Sequence, residues 1–227
     1  MVIILKKKFL IFALIFIVGC VQTKDFNYGI SQINALDTSY NTTIDTYPKN
    51  IKQIGLMLND LMELKKLRLE SGQESFNYII DYKILNLKAE KLFIEGQKYG
   101  DAGTTKNGFG CKIRPLIIES ASLRNKSALN GFEAVNLLRE FVYKYPKEAN
   151  SVELSFKNAL FLNATFYQIS KDAMMDSNII NYFCPQNVTL ELYQQEFRKV
   201  TNLSRDFINN LSYQEAANIW KKENGID

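Results

Sequence analysis

Histidine is absent from this chain of 227 residues, and that decides much of what its side chains can do. Ser-His-Asp and Cys-His catalysis, HExxH metal sites and imidazole-based pH switching all fall away with it. Three cysteines remain: Cys20, Cys111 and Cys184. The last two lie 73 residues apart, which excludes a CxxC redox motif or a zinc ribbon. In an exported chain such a pair is expected to form one disulfide. Both cysteines sit beside helix breakers, Gly108 and Gly110 before Cys111 and Pro185 after Cys184. That placement suits two loops stapled at one end of a helical bundle.

The acids offer little catalytic chemistry. Glu90 with Glu95, Glu133 with Glu140 and Glu191 with Glu196 are spaced for solvated helix faces, not for one shared site. Glu119, in LIIESASLR, is the acid expected to be partly buried, and Arg114 and Arg124 flank it outside ideal i,i+4 spacing. Its expected role is a structural ion pair. Residues 100–111 (GDAGTTKNGFGC) are the one Gly-rich segment. They contain no GxxxxGK[ST] and follow no predicted strand, so they are not a phosphate loop. They also lack the alternating acids and terminal Glu of an EF-hand. No catalytic residue, metal ligand or cofactor motif is assigned, and the chain is not expected to be an enzyme.

Six asparagines begin an N-x-[ST] sequon: Asn41, Asn125, Asn163, Asn187, Asn202 and Asn210. Each is a candidate N-glycosylation site if the chain is exported by an organism that glycosylates such sites.

The N-terminus carries the strongest signal. In MVIILKKKFLIFALIFIVGC, Lys6, Lys7 and Lys8 precede an apolar run from Phe9 to Val18. The run is too short to cross a bilayer as a helix, which needs about 20 residues, but it fits the h-region of a secretory signal. It ends in Ile17-Val18-Gly19-Cys20, which resembles the lipobox of prokaryotic lipoproteins. The resemblance implies cleavage between Gly19 and Cys20 and a diacylglyceryl group on the Cys20 sulfur. Two acyl chains suffice for stable anchoring. The expected organisation is a signal peptide over 1–19, a lipidated N-terminus and tether over 20–47, and an all-α domain over 48–227. Without the leader the chain has 25 basic and 24 acidic residues, so no basic stripe argues for nucleic acid. A lipobox together with sequons is compatible with an archaeal source.

Helical periodicity dominates the remainder. After Pro48, Ile51, Ile54, Leu58 and Leu61 form one stripe. Ser71 and Glu74 form a capping-box pattern before a second stripe of Phe76, Ile80, Ile84 and Leu87, which is expected to end between Gly96 and Gly100. Pro115 opens a third helix ending at Tyr145-Pro146, and Asn150 with Glu153 are expected to cap a fourth. Leu190 to Leu211 reads as a long last helix, followed by a short one carrying Ala216, Ala217 and Trp220. No segment alternates with period two. The fold expected is an all-α bundle of antiparallel hairpins.

Ala134, Leu138, Phe141 and Tyr145-Pro146, in AVNLLREFVYKYP, resemble the end of a tetratricopeptide-type hairpin. More narrowly they resemble a pattern in outer-membrane assembly lipoproteins of the BamD type. The resemblance covers half a repeat and implies, as an alternative fold, a tetratricopeptide-like stack. The expected function is that of a structural or protein-interaction module on the extracytoplasmic face of a membrane. Its partners are the membrane, through Cys20, and a protein of unspecified identity. The alternatives are a ligand-binding surface receptor and a carboxylate-dependent envelope hydrolase. A long apolar groove would favour the first reading, an enclosed polar pocket the second, and paired carboxylates in a cleft the third.

Overall fold

The computed structural model describes residues 23–105, 111–185 and 190–209. Among these residues every regular element is a helix: α1 (Phe26–Tyr40), α2 (Ile51–Leu64), α3 (Gln73–Thr105), a 3-10 turn (Cys111–Ile113), α4 (Arg114–Lys144), α5 (Pro146–Ser151), α6 (Phe156–Phe183) and α7 (Leu190–Asn209). The chain forms the expected helical bundle. Among the described residues it does not form the alternative stack. Helices α3 and α4 have 33 and 31 residues, and each is about as long as an entire two-helix tetratricopeptide repeat of roughly 34 residues.

Helix α4 lies at the centre, packed against α3, α6 and α7. It runs antiparallel to α3: Ser127 Oγ donates to the Ala89 carbonyl at 2.7 Å, and Tyr78 Oη donates to Glu140 at 3.0 Å. It also runs antiparallel to α6, with Phe132 and Phe166 rings 6.4 Å apart and Cys111 joined to Cys184. Helix α7 returns along α6 and α4; Asn163 Nδ2 donates to Ser204 Oγ at 3.2 Å, and Tyr167 meets Phe197. The main core comes from Phe76, Ile80 and Leu87 of α3, Phe132, Val135, Leu138 and Phe141 of α4, and Phe166 of α6. A satellite cluster of Ile113, Ile180 and Cys184 fills the disulfide end.

Several boundaries differ from expectation. The segment expected to be a tether is packed chain from Phe26 onward, so the packed domain begins well before Pro48. Asp25 caps α1 by accepting from the Tyr28 N–H at 2.9 Å, and Phe26 and Ile33 enter the core. Asn41 ends the helix in the left-handed region at φ 54°. Helix α3 begins at Gln73, whose side chain reaches back to the Leu69 N–H at 2.8 Å, with Gly72 at φ 71° before it. It then continues past both expected stops to Thr105. A Cβ on Gly96 would lie 3.1 Å from the Ser120 carbonyl oxygen, so this glycine serves close helix approach rather than termination. Asn150 belongs to α5; Ser155 with Asn158 caps α6 instead, the Ser155 N–H donating to Asn158 Oδ1 at 3.0 Å. Helix α6 is unbroken to Phe183. The expected last short helix lies outside the described residues, as does the leader with Cys20.

Candidate functional site

Two adjoining depressions run between α3 and α6 over the floor provided by α4. The larger has a volume of about 990 Å3, and the smaller about 480 Å3. Both are lined by Phe93, Arg124 and Asp172, so they form one open groove. Its α6 wall runs from Phe161 to Phe183, which is about 33 Å at 1.5 Å rise per residue. The wall follows from the sequence of α6. The core stripe of this helix has Phe166 and Ile180 as its only large apolar members, the rest being small or polar (Ala159, Asn163, Ser170, Ala173, Ser177), while Phe161, Ile179 and Phe183 point outward. Phe161 is 71% exposed, Phe183 69% and Ile179 49%. The exposed wall is apolar at its two ends, Phe161 at one and Ile179 with Phe183 at the other, and polar between them at Thr165, Gln168, Asp172 and Asp176; exposed apolar ends of this kind suit a partner.

The groove's polar lining is Gln97, Asp101, Ser120, Arg124, Thr165, Gln168, Asp172 and Asp176. Arg124 donates to Asp176 at 2.5 Å across the α4–α6 junction. Asp172, exposed one turn earlier, accepts from Gln168 at 2.7 Å. The Cys111–Cys184 disulfide closes one end of the groove and ties the start of α4 to the end of α6.

A second polar cluster lies inside the bundle. Lys83 is fully buried on α3; its ammonium pairs with Asp37 of α1 at 2.7 Å and donates to the Thr43 carbonyl at 2.7 Å. It also stands 5.5 Å from the Tyr47 ring centre. Burial holds the Lys83 pKa below its ordinary value, with Asp37 partly offsetting the loss of water. Burial likewise pushes Tyr47 well above its usual value and Tyr82 up to about 12. Asn86 bridges the two phenols, donating to Tyr47 Oη at 2.5 Å and Tyr82 Oη at 3.5 Å. With Lys83 and Asp37 both out of reach of solvent, this cluster is a clasp holding α1 and the 43–47 loop onto α3.

Cys111 and Cys184 are bonded to each other. Glu119 is exposed, contrary to the expectation of partial burial, because it faces away from the α4 core stripe of Ser120, Ala121 and Ala128. Arg124 pairs with Asp176, not with Glu119. Arg114 is half-buried at the start of α4. The glutamates do not converge. Glu95 stands 4.0 Å from Lys91, Glu140 is bound by Tyr78 and Lys144, Glu133 is exposed, and Glu196 accepts from Asn125 at 3.4 Å. The Glu191 side chain lies outside the described residues. Burial raises the Glu90 pKa, yet Glu90 does not line the groove.

Two sequons are corrected. Asn125 is 0% and Asn163 3% exposed, so neither is open to glycosylation in the folded chain. They are interior polar groups: Ser170 Oγ donates to Asn125 Oδ1 at 2.6 Å, and Asn163 binds Ser204. Asn41 and Asn202 are exposed; Asn187 and Asn210 lie outside the described residues. Sequence reasoning missed Lys83–Asp37, since one buried Lys in a charged helix looks like any other. It also missed the groove, because α3, α4 and α6 each supply only part of the lining.

Among the described residues no helix is long and apolar enough to cross a membrane, and no group of His, Cys, Asp or Glu is placed to hold a metal ion. No protein family's sequence profile matches the chain, and the comparison with curated proteins and solved structures gave no match.

Proposed function

We propose that this protein is an extracytoplasmic lipoprotein, anchored through Cys20, that acts as a protein-interaction module by taking a partner's helix into the α3–α4–α6 groove. The observation that carries the reading is the groove itself. It is open, as long as a helix of about 22 residues at 1.5 Å each, and bordered by outward Phe161, Ile179 and Phe183. Amphipathic helices bind such troughs through apolar anchors three to four residues apart. An enclosed polar pocket would suit a solute receptor better. A glycoside-cleaving site would need two acids flanking a cleft with one raised in pKa, and the acid so raised, Glu90, lies elsewhere. The leader and the disulfide both support export, since disulfides persist in oxidising compartments.

The test is site-specific photocrosslinking in cells of the native organism. A photoreactive residue at Ile179 should give a discrete protein adduct. The same residue at Leu56, equally exposed but outside the groove, should not. Equal labelling at both positions, or no adduct at Ile179, contradicts the reading.

A further inference from the structure

The point where the chain enters the bundle carries a consequence for the groove. The Lys24 carbonyl accepts from the Glu70 N–H at 2.5 Å, and Phe26 stacks on Phe141 at 6.4 Å. A Cβ on Gly72 would lie 2.7 Å from the Phe26 Cβ, so the two segments touch backbone to backbone here. The chain is therefore fixed from Lys24 onward at one end of the bundle, where α2 ends, α3 begins and α4 ends. Only residues 21–23 separate Lys24 from Cys20. Whatever their conformation, four Cα–Cα steps span at most about 14 Å. The interfacial layer on each side of a bilayer is itself about 5–8 Å thick.

We propose that the entry end of the bundle, with Lys24, Tyr143 and Lys147 on its surface, rests against the lipid headgroups and that the disulfide end of the groove points away from them. The inference rests on the lipid-anchored reading. The tether leaves no room for a protein between this end and the bilayer. Tyr143 is 70% exposed and lies next to Lys144, a pairing of amphipathic ring and cation that suits headgroup level. Helix α4 is about 46 Å long at 1.5 Å per residue, so Cys111 and Cys184 stand well clear of the membrane. Lying flat on the α6 strip is opposed by its own charges. Asp172 and Asp176 lie along that wall and would have to enter the apolar boundary with Phe161 and Ile179. The groove is thus presented to a partner in the extracytoplasmic space.

The experiment uses the full chain purified from membranes, with lipidation of Cys20 first checked by intact mass, and reconstituted in phosphatidylcholine–phosphatidylglycerol vesicles. Lysines are labelled with a membrane-impermeant amine reagent, before and after detergent solubilisation. Lys24, Lys147 and Lys112 are all exposed in the domain. Lys24 and Lys147 should label several-fold more slowly on vesicles, while Lys112, beside the disulfide, should label equally in both states. A ten-residue Gly/Ser insertion after Gln22 should abolish the protection while the protein stays on the vesicles. Equal labelling of all three, or protection concentrated at Lys171 on α6, overturns the orientation with the anchor intact. An unmodified Cys20 instead overturns the anchored reading and the orientation with it.

Discussion

Replacing Lys83 with Met probes the clasp that holds α1 on the bundle. The substitution keeps most of the side-chain volume but removes the charge. It leaves the Asp37 carboxylate 3% exposed, with Oδ1 bound to Thr42 Oγ1 at 2.7 Å and Oδ2 already without a partner. Stranding one member of a buried ion pair costs about 3–5 kcal/mol. For a domain of this size each kcal/mol lowers the melting temperature by about 2–4 °C, so Lys83→Met should melt roughly 6–20 °C below the parent. The double variant Asp37→Leu/Lys83→Met should recover most of that loss, because the pair itself gains little over apolar packing. The lowered Lys83 pKa points the same way: burial outweighs the attraction of Asp37. Thermal melts followed by far-ultraviolet circular dichroism measure both variants. A single variant as stable as the parent, or a double variant no better than the single, refutes the reasoning.

Three further outcomes follow from the packing. Cys111→Ser with Cys184→Ser should cost about 4 kcal/mol by loop entropy, the crosslink spanning 73 residues; an unchanged denaturant midpoint contradicts it. Glu90→Gln should raise stability at neutral pH. The folded-state pKa of Glu90 lies above its ordinary 4.5, so its protonated form is favoured; stability is greatest below 4.5 and declines as pH rises through the folded value. The gain should vanish in melts run well below pH 4.5, and a gain independent of pH counts against the assignment. Gly131→Ala should destabilise by about 1–3 kcal/mol through overpacking, since the new Cβ would lie 2.4 Å from the Phe166 ring; a stabilised variant would mean that the ring moves aside freely.

Much of the bundle was legible because its core stripes are apolar and periodic. Ile54 and Leu61 in α2, and Phe76, Ile80 and Leu87 in α3, sit in the core as their spacing predicts. Helix α1 was legible only at 31–36, a helix start followed by a turn-rich stretch; its full length was not, because its inward positions are Phe26, Gly29, Ile33 and Asp37, a stripe diluted by a glycine and a charge. Gly29 is inward because a Cβ there would lie 2.6 Å from Phe76, and Asp37 because Lys83 waits for it. The disulfide could be read from two cysteines and a leader. Asn125 and Asn163 could not be placed, because a sequon looks the same whether its Asn meets solvent or a buried Ser. The groove needed three helices at once; no one stretch of sequence contains it.

The orientation and the exposure of the groove both depend on the proposed lipid anchor at Cys20. Its most direct measurement is the intact mass and membrane fractionation of the native chain beside Cys20→Ser. The native chain should begin at Cys20, carry the added mass of a diacylglyceryl group and sediment with the envelope. The serine variant should retain residues 1–19 and carry no lipid. A native chain with a free Cys20 thiol, or a serine variant processed to the same N-terminus and equally membrane-bound, would rule out the anchor.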